Sequence, residues 1–324
     1  QQDRERGAHH ALGARHVGEE RGRQLPGRHE AVHGEVREVV PRDILVRRGS
    51  HAVPALPAGL GIESAGVVEA LGPGVSEVAV GDRVAGVSGP DGAYAQARNV
   101  PAARCVHLPA GIDDRIAAAM MVRGMTARYL LRETYPVKPG DTILVHAAAG
   151  GVGLILCQWA KHLGATVVGT VGSSEKAAIA RANGCDHAIV YTQEDFVPRV
   201  REITGGLGVP VVYDSVGRAT FEGSLQSLAR RGVLASYGEA SGDPDPVPPR
   251  RLGPLGSVYL THPSLPDYTA TRAELLKTAG ELFEMVLAGK VRIEVTRSYP
   301  LTAAAEAHAD MEARRTTGSI VIIP

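Results

Sequence analysis

Cysteine is scarce in this sequence, and its distribution excludes two classes of site. Only Cys105, Cys157 and Cys185 occur among 324 residues, and no two of them are close in the chain. A disulfide framework needs more cysteines, and a structural zinc site needs closely spaced pairs. The sequence therefore favours a reducing compartment, and we expect a cytoplasmic protein.

Long apolar runs and an excess of charge of one sign are also missing. No run approaches the ~20 apolar residues of a membrane helix, and we expect no secretory signal, because the N-terminus has no apolar core. The 35 basic and 35 acidic residues give a formal net charge of zero, whereas a general polyanion binder usually carries a basic excess. We therefore expect neither a nucleic acid nor a membrane as a partner.

The composition is otherwise typical of a folded protein with more than one domain. Apolar residues make up 44% and charged residues 22%, close to ordinary globular values, which excludes general disorder. At ~150 residues per domain, the length predicts two domains. Only five of the 35 basic residues are lysine, so a lysine at a candidate ligand site carries more information here than an arginine.

The first 38 residues differ from the rest of the chain. They contain seven Arg, six Glu, five His and six Gly but no sustained hydrophobic period, so they predict no strand or helix. We expect this segment to contribute little regular packing. Three interpretations stay open: a solvated arm, a histidine-rich metal-binding tract without a recognisable ligand spacing, and a segment read out of frame.

From about residue 39 to 109, short apolar runs alternate with Gly and Pro, and this pattern predicts a β-rich domain. Its clearest strand is 62–70, which a Gly-Pro-Gly turn follows. Asp113 is a candidate N-cap for a helix over 114–123. A second helix is expected at 126–133.

At residue 141 the pattern changes, and strands begin to alternate with helices of about ten residues. Such alternation is typical of parallel βαβ units and predicts a doubly wound sheet, so the fold class is α/β. The expected strands are 142–146, 166–171, 188–190, 209–213, 233–237 and 258–261, and the expected helices between them are 154–163, 175–183, 194–203 and 220–229. A long helix at 269–287 and a closing strand at 319–323 complete the pattern.

The turn after the first of these strands has the spacing of a dinucleotide-binding loop. Ala148, Gly150 and Gly153 stand at the three positions of the Gly-x-Gly-x-x-Gly pattern. The second position allows a pyrophosphate to approach the backbone, the third allows the helix to pack on the strand, and the helix N-terminus offers free N–H groups. A strand before the turn, a helix after it and further βα units favour nucleotide binding over a structural turn.

The end of the second strand indicates which dinucleotide is preferred. NAD-binding proteins place Asp or Glu about 20 residues after the loop, on the ribose 2′-hydroxyl. Here the strand ends without an acidic residue, and Ser173, Ser174, Glu175 and Lys176 follow. Hydroxyl and ammonium donors attract a 2′-phosphate that a carboxylate would repel. The sequence therefore favours NADPH over NADH, although Glu175 would partly neutralise the site, and Lys176 could instead be a solvated helix residue.

Six stretches together resemble the zinc-independent quinone oxidoreductases of the medium-chain dehydrogenase/reductase superfamily, the group that includes zeta-crystallin. They read LPAGLGIE, VGDRV, VKPGD, HAAAGGVG, YDSVG and RRTTGS, and they begin at Leu56, Val80, Val137, His146, Tyr213 and Arg314. The resemblance implies a GroES-like β-rich domain formed by residues 1–123 and 264–324, and a Rossmann NADPH-binding domain at 124–263. It also implies NADPH:quinone oxidoreductase activity and homodimers joined through the edges of the Rossmann sheets.

By position, the resemblance also implies a set of site residues. Cofactor contacts are expected at Ala149, Gly150, Gly151, Val152, Gly153, Ser173, Lys176, Tyr191, Ser215, Tyr237 and Arg314. Tyr191 could instead be a core residue, and Arg314 is ambiguous with its neighbour Arg315. Substrate-side residues are expected at Asp43, Met125, Thr126 and Tyr129, each of which could equally be a packing residue. No catalytic acid or base is assigned, because hydride transfer from a nicotinamide needs orientation rather than a protein nucleophile.

The same comparison of motifs predicts a metal-free site. Zinc-dependent relatives place a His directly before the glutamate of this motif, whereas Ile62 precedes Glu63 here, and no cysteine cluster exists. Two other functions stay open: reduction of the C=C bond of an alkenal or enone, and a nucleotide-binding structural or regulatory role without turnover.

The apolar segment 257–261, at the expected edge of the Rossmann sheet, predicts a symmetric dimer.

Overall fold

The structure, a computed structural model, describes residues 29–49, 56–87, 92–313, 315–316 and 318–324. In chain order its strands are β1 (His29–Glu38), β2 (Glu63–Leu71), β3 (Arg83–Val87), β4 (Ala97–Pro101), β5 (Cys105–His107), β6 (Thr142–Val145), β7 (Thr166–Val171), β8 (His187–Val190), β9 (Val209–Asp214), β10 (Leu228–Ser236), β11 (Tyr259–Thr261), β12 (Val295–Pro300) and β13 (Ser319–Ile323). Its α-helices are α1 (Pro41–Arg47), α2 (Asp114–Tyr129), α3 (Gly151–His162), α4 (Ser174–Ala182), α5 (Phe196–Ile203), α6 (Phe221–Ser227), α7 (Arg272–Leu287) and α8 (Ala304–Glu312).

One of the two sheets joins the two ends of the described chain. Its strand order is β12-β13-β1-β2-β3-β5, and β4 pairs with β1 outside this path. β13 is antiparallel to β1, and β12 is parallel to β13. The C-terminal strands therefore complete a sheet whose other members precede α2.

The expectation that residues 1–38 lack regular structure is wrong for residues 29–38. These residues form β1, which pairs with β2, β4 and β13. Arg37 and Glu38 are both fully buried, although the sequence shows no apolar alternation there. The neighbouring strands supply the hydrogen-bonding partners, so tertiary pairing overrides the local pattern. Residues 1–28 lie outside the described residues, and for them the expectation stays a prediction.

The second sheet is the predicted doubly wound one. Its order is β11-β10-β9-β6-β7-β8, and all of its pairings are parallel. The chain order reverses at β6, because β7 and β8 lie on one side of it and β9 to β11 on the other. In open α/β sheets, ligands bind beyond the carboxyl ends of the strands at such a reversal.

Residues 114–134 form one continuous helical segment where the sequence predicts two helices. The carboxylate of Asp113 caps its first turn as expected, and α2 runs through Gly124 into a π-helical turn at Leu130–Thr134. Gly124 lies inside the helix rather than at its end. It is a glycine because α7 passes close to it: a Cβ there would lie 2.5 Å from Cδ1 of Leu282. The glycine therefore allows two helices to approach each other.

Most other predicted elements are confirmed with shifted ends. β7 and β13 have the expected bounds, whereas β10 begins at Leu228 rather than at residue 233. α3 begins at Gly151, inside the Gly-rich turn. α7 begins at Arg272 because Thr271 and Glu274 form a capping box. In the part of the chain that the structure describes, no helix is long and apolar enough to cross a membrane.

Candidate functional site

A cavity of about 940 Å³ lies at the carboxyl ends of β6 and β7, where the strand order reverses. Its wall is formed by the turns after β6, β7, β8 and β9 and by the segment that precedes β13. The cavity is large enough for a cofactor-sized ligand. Its position is the one that the doubly wound topology predicts.

The Gly-rich turn forms the floor of this cavity at the N-terminus of α3. Ala149, Gly150 and Gly151 line the cavity, whereas Val152 and Gly153 lie behind them in the first turn of the helix. A Cβ on Gly153 would lie 2.2 Å from the carbonyl oxygen of Ala147, so a glycine is needed for the helix to pack against the turn. No side chain caps α3, which leaves N–H groups of its first turn available to a ligand.

The outer end of the cavity, which we define by Gly172, Lys176 and Tyr191, contains two of the residues expected at a 2′-phosphate, whereas the third, Ser173, is not among the residues that line it. Tyr191 is 51% exposed, which excludes the alternative of a core tyrosine, and its hydroxyl lies 2.8 Å from where a Cβ of Gly172 would be. Ser173 caps α4, because its Oγ accepts a hydrogen bond from the backbone N–H of Lys176 (3.3 Å). A hydrogen bond with Ser173 lowers the pKa of Glu175. A carboxylate therefore shares this end with the ammonium group.

Ser215 and Tyr237 lie close together after neighbouring strands, but neither lines this cavity. A Cβ on Gly238 would lie 3.3 Å from Cα of Ser215, which shows how closely the two loops approach. The nearby residues Val216 and Ala240 do line the cavity. Burial raises the pKa of Tyr237. The roles of Ser215 and Tyr237 as cofactor contacts stay predictions.

The expected cofactor contact Arg314 lies outside the described residues. Its neighbour Arg315 is paired with Asp310, whose Oδ1 lies 3.0 Å from Nε and 2.5 Å from Nη2 of the arginine. Thr316 and Gly318, on the same segment, line the cavity. Because Arg315 already has an anionic partner, Arg314 is the better of the two candidates for a phosphate contact, and this too stays a prediction.

A buried hydrogen-bond network beneath the cavity joins the carboxyl ends of β6, β7 and β9 to α6, and the sequence does not reveal it. His146 lies between Oγ1 of Thr170, 2.8 Å from Nδ1, and Oγ of Ser224, 2.9 Å from Nε2. The hydroxyls of Ser224 (2.7 Å) and Thr220 (2.8 Å) donate to Oδ2 of Asp214. The Ser224 oxygen must therefore accept from Nε2–H, which assigns the tautomer. Burial lowers the pKa of His146, so the neutral ring serves as a link between β7 and α6.

The inner end of the cavity, which we define by Arg123 together with the buried carboxyl groups of Glu38 and Glu63 behind it, contains a second basic residue that sequence analysis missed. Nη2 of Arg123 lies 2.8 Å from Oε1 of Glu38, and Nη1 donates to Oγ of Ser319 (3.0 Å). Oε2 of Glu63 accepts from the N–H of Val122 (2.8 Å). Burial is the main cause that raises the pKa of Glu38 to about 7 and the pKa of Glu63 well above its ordinary value. No motif marks these residues, because they come from three separate elements.

The four expected substrate-side residues are all buried in the structure. Asp43 is buried and accepts a hydrogen bond from the hydroxyl of Tyr94 (3.2 Å). Met125 is fully buried and Thr126 is 7% exposed. Tyr129 stacks on a neighbouring tyrosine ring, with centroids 4.3 Å apart. None of the four lines the cavity, so a contact with substrate stays a prediction for each.

Comparisons with known proteins agree with both halves of this architecture. Residues 31–110 match the alcohol dehydrogenase GroES-like domain family, and residues 151–280 match the zinc-binding dehydrogenase family. A quinone oxidoreductase from Pseudomonas aeruginosa is 50% identical over 285 residues, which are 87% of each chain. A 2-haloacrylate reductase from a Burkholderia species is 49% identical over 271 residues, which are 83% of this chain and 81% of that protein.

A solved structure is similar over most of its length. The Escherichia coli quinone oxidoreductase complexed with NADPH is 45% identical, the match covers 91% of each chain, and the TM-score is 0.89. The predicted combination of a GroES-like β-rich domain and a Rossmann sheet is confirmed. The chain belongs to the quinone oxidoreductase family of the medium-chain dehydrogenase/reductase superfamily.

Proposed function

We propose that this protein is a zinc-independent oxidoreductase that transfers reducing equivalents from NADPH to a quinone. The observation that carries the proposal is the outer end of the cavity, where Lys176 and Tyr191 line a pocket at the tip of β7 and no acidic residue ends that strand. The 50% identity to a quinone oxidoreductase supports the substrate class. The similarity to an NADPH complex supports the cofactor.

The residues present fit a dinucleotide. The uncapped N-terminus of α3 opens on the cavity, and such a terminus suits a pyrophosphate. A Cβ on Gly150 would lie 3.0 Å from the carbonyl oxygen of Ala147, so any other residue there would crowd the turn. In this proposal the turn Ala149–Gly153 binds the pyrophosphate through backbone N–H groups.

The other cofactor residues have more specific roles. Ser173, Lys176 and Tyr191 bind the 2′-phosphate region, and Ser215, Tyr237 and Arg314 are further cofactor contacts. When bound, the nicotinamide supplies a hydride, and the protein contributes binding and orientation. The boundaries 123/124 and 263/264 between the GroES-like and Rossmann domains belong to the same proposal, since the first sheet lies outside 124–263 and the second lies inside it.

The proposed independence from zinc rests on the surroundings of Glu63. Its carboxyl group lies beside Glu38 and Arg123, so a guanidinium is the cation at this position. Among the described residues, no three His, Cys, Asp or Glu side chains come together as a candidate metal site. Activity should therefore survive dialysis against a strong chelator. Loss of activity that stoichiometric zinc restores would contradict this part of the proposal.

A second function has a specific observation in its favour. The 2-haloacrylate reductase is 49% identical, nearly the same as the quinone oxidoreductase, so reduction of an activated C=C bond is the competing activity. The same hydride donor serves both reactions, so the two activities differ only in the acceptor. A nucleotide-binding role without turnover is the third alternative.

One panel of assays separates these alternatives. NADPH oxidation is followed with a benzoquinone or naphthoquinone, with an alkyl enone and with 2-chloroacrylate, each with and without enzyme. We expect kcat/KM to be highest for a quinone. A higher value for the enone or the haloacrylate would replace the proposed substrate class. Binding of NADPH without turnover of any acceptor would favour a structural or regulatory role. Lys290→Ala, which removes an exposed lysine away from the cavity, is the matched control for later cavity variants.

The proposal extends to assembly and location. β11 forms an edge of the Rossmann sheet, and Tyr259 and Leu260 on it are 60% and 37% exposed. An exposed apolar edge invites pairing with a second copy, so a symmetric dimer through this strand is expected. Light scattering at micromolar concentration tests it, and a monomer would contradict it. All three cysteines are buried and none of them forms a disulfide, which supports a reducing, cytoplasmic location.

A further inference from the structure

Arg123 brings a buried positive charge to the phosphate-binding turn. A Cβ on Gly151 would lie 2.4 Å from Nη1 and 2.6 Å from Cδ of this arginine, so the guanidinium lies directly against the first residue of α3. Its side chain is 9% exposed, and it lines the cavity. Hydrogen bonds from Nη1 to the carbonyl oxygen of Gly318 (3.2 Å) and to Oγ of Ser319 (3.0 Å) hold it in place. Packing rather than solvent therefore sets its position.

Two buried carboxyl groups lie behind this guanidinium. Glu38 on β1 and Glu63 on β2 are both 0% exposed, and Oε1 of Glu38 is 2.8 Å from Nη2 of Arg123. If both carboxyls were ionised, the cluster would carry one net negative charge away from water, which is costly. One proton shared between the two carboxyls makes the cluster neutral.

We propose that Arg123 is a phosphate-binding residue of the cofactor site, and that binding of the cofactor there is coupled to proton uptake by Glu38 and Glu63. The proposal rests on the NADPH site proposed above. A pyrophosphate at the N-terminus of α3 would present negative charge to the same guanidinium that neutralises Glu38. The ionised form of the carboxyl pair then becomes less favourable, so cofactor and proton favour each other's binding.

The surroundings of the carboxyl pair set the pH range of this coupling. Burial raises the pKa of Glu38 to about 7, and Arg123 opposes that shift. Burial is also the largest cause of the raised pKa of Glu63, followed by the charge of Glu38. Among the residues that the structure describes, the titratable and charged groups that face the pair are Arg123 on α2, Asp43 on α1 and Tyr94 before β4. When a cofactor phosphate binds Arg123, the arginine lowers the pKa of the carboxyl pair less strongly. We therefore expect proton uptake near and above pH 7.

Cofactor affinities test the first half of the proposal. The pyrophosphate is common to NADPH and NADH, whereas the 2′-phosphate is not. Arg123→Met should therefore weaken the binding of both NADPH and NADH by about 10–100-fold and leave the ratio of the two affinities unchanged. Arg123→Lys should lose less affinity than this, because an ammonium keeps the charge. Lys176→Ala should weaken NADPH alone, and Lys290→Ala should change neither cofactor.

The pattern of losses distinguishes two failures. If Lys176→Ala weakens NADPH but Arg123→Met and Arg123→Lys leave both affinities intact, the inference about Arg123 is overturned and the proposed NADPH site stands. If none of these variants changes either affinity, the proposed site itself is wrong. Calorimetric stoichiometry separates misfolded protein, which lowers the number of sites, from a weaker site. A soluble Arg123→Lys protein keeps the test decisive if Arg123→Met does not fold.

Proton uptake tests the second half. NADPH and NADH binding are titrated by calorimetry at pH 8 in two buffers of different ionisation enthalpy, and the difference in heat gives the protons taken up. We expect wild-type protein to take up a substantial fraction of one proton with either cofactor, and Lys176→Ala to do the same with NADH. Glu38→Gln should reduce the uptake, because Gln cannot titrate and only Glu63 of the pair then takes up a proton. No uptake by the wild type, or undiminished uptake by Glu38→Gln, would overturn the coupling.

Discussion

The two ends of the cavity each carry a basic residue, and the two residues differ in how the protein holds them. Lys176 at the outer end stands in the first turn of a helix and is only half-buried. Arg123 at the inner end is buried and is bonded to β1 and β13. Water stabilises a charge at the outer end without a fixed partner, whereas a buried charge requires partners that packing brings to it. Changes at the inner end should therefore affect stability as well as binding.

The largest expected effect is on stability at the inner end. The carboxyl of Glu38 has an ordinary pKa of 4.5 and a pKa of about 7 in the folded protein. A raised carboxyl pKa means that the folded state binds the proton more tightly, so this contribution to stability is present below pH 4.5 and is lost as the pH rises to about 7. The loss amounts to about 3 kcal/mol. Glu38→Gln should remove this dependence.

Urea unfolding of wild type and Glu38→Gln between pH 4.5 and 8 measures the difference. The variant should gain stability relative to the wild type as the pH rises. Glu306→Gln, which changes an exposed glutamate on α8, is the matched control and should follow the wild type. A constant difference between Glu38→Gln and the wild type across this range would mean that Glu38 is ionised throughout.

The next effect concerns the turn between the two ends. A Cβ on Gly153 would meet the backbone oxygen of Ala147 at 2.2 Å, and backbone cannot yield as a flexible side chain does. Gly153→Ala should therefore destabilise the protein by about 1–3 kcal/mol and weaken both cofactors together. Gly280→Ala provides the control, because a Cβ on this residue of α7 meets nothing within 4 Å. It should stabilise the protein slightly, since alanine is the better helix former. Equal effects of the two substitutions would contradict this account.

The sequence predicts the second sheet well because each of its signals is local. β7 has the expected bounds, and Asp113 caps α2 as its position before an apolar helix predicts. The first sheet is predicted poorly at β1, where pairing with β2, β4 and β13 rather than an apolar period creates the strand. At Gly124 the sequence misleads in the opposite direction. The low helix propensity of glycine suggests that the helix ends there, whereas close packing against α7 is the reason for the glycine.

The same distinction holds within the site. Gly150 and Lys176 can be found from sequence, because each stands at a fixed spacing from a strand of the parallel sheet, and Tyr191 is found through the resemblance to the family. Arg123 and His146 cannot be assigned in this way. Their environments consist of residues distant in the sequence, such as Ser319 beside Arg123 and Ser224 beside His146. No window of sequence contains that information, because side-chain partners at this distance are set only by the packed fold.

At the outer end, the expected effect is confined to one cofactor. Lys176→Ala should weaken NADPH binding by about 10–100-fold, the value of one ammonium–phosphate contact, and should leave NADH nearly unchanged. The variant should also show a flatter salt dependence of NADPH binding, because one charge that faces a phosphate is gone. Fluorescence titration with both cofactors at two salt concentrations measures this. Equal loss for NADPH and NADH would mean that Lys176 supports the fold or the pyrophosphate instead.

The smallest expected effect is a gain of affinity, and it comes from Glu175. This residue precedes Lys176 in the first turn of α4, and a hydrogen bond with Ser173 lowers its pKa, so it is ionised beside the expected 2′-phosphate. The carboxylate repels the phosphate and competes with it for the hydrogen bond of the Ser173 hydroxyl. Both effects are small, because water screens an exposed carboxylate. Glu175→Gln should therefore tighten NADPH binding by only about two- to fivefold, with no change for NADH. The gain should disappear at high salt, where the repulsion is already screened. If Glu175→Gln instead weakened NADPH binding, the carboxylate would be orienting Ser173 toward the phosphate, and the outer end would depend on fixed hydrogen bonds as the inner end does.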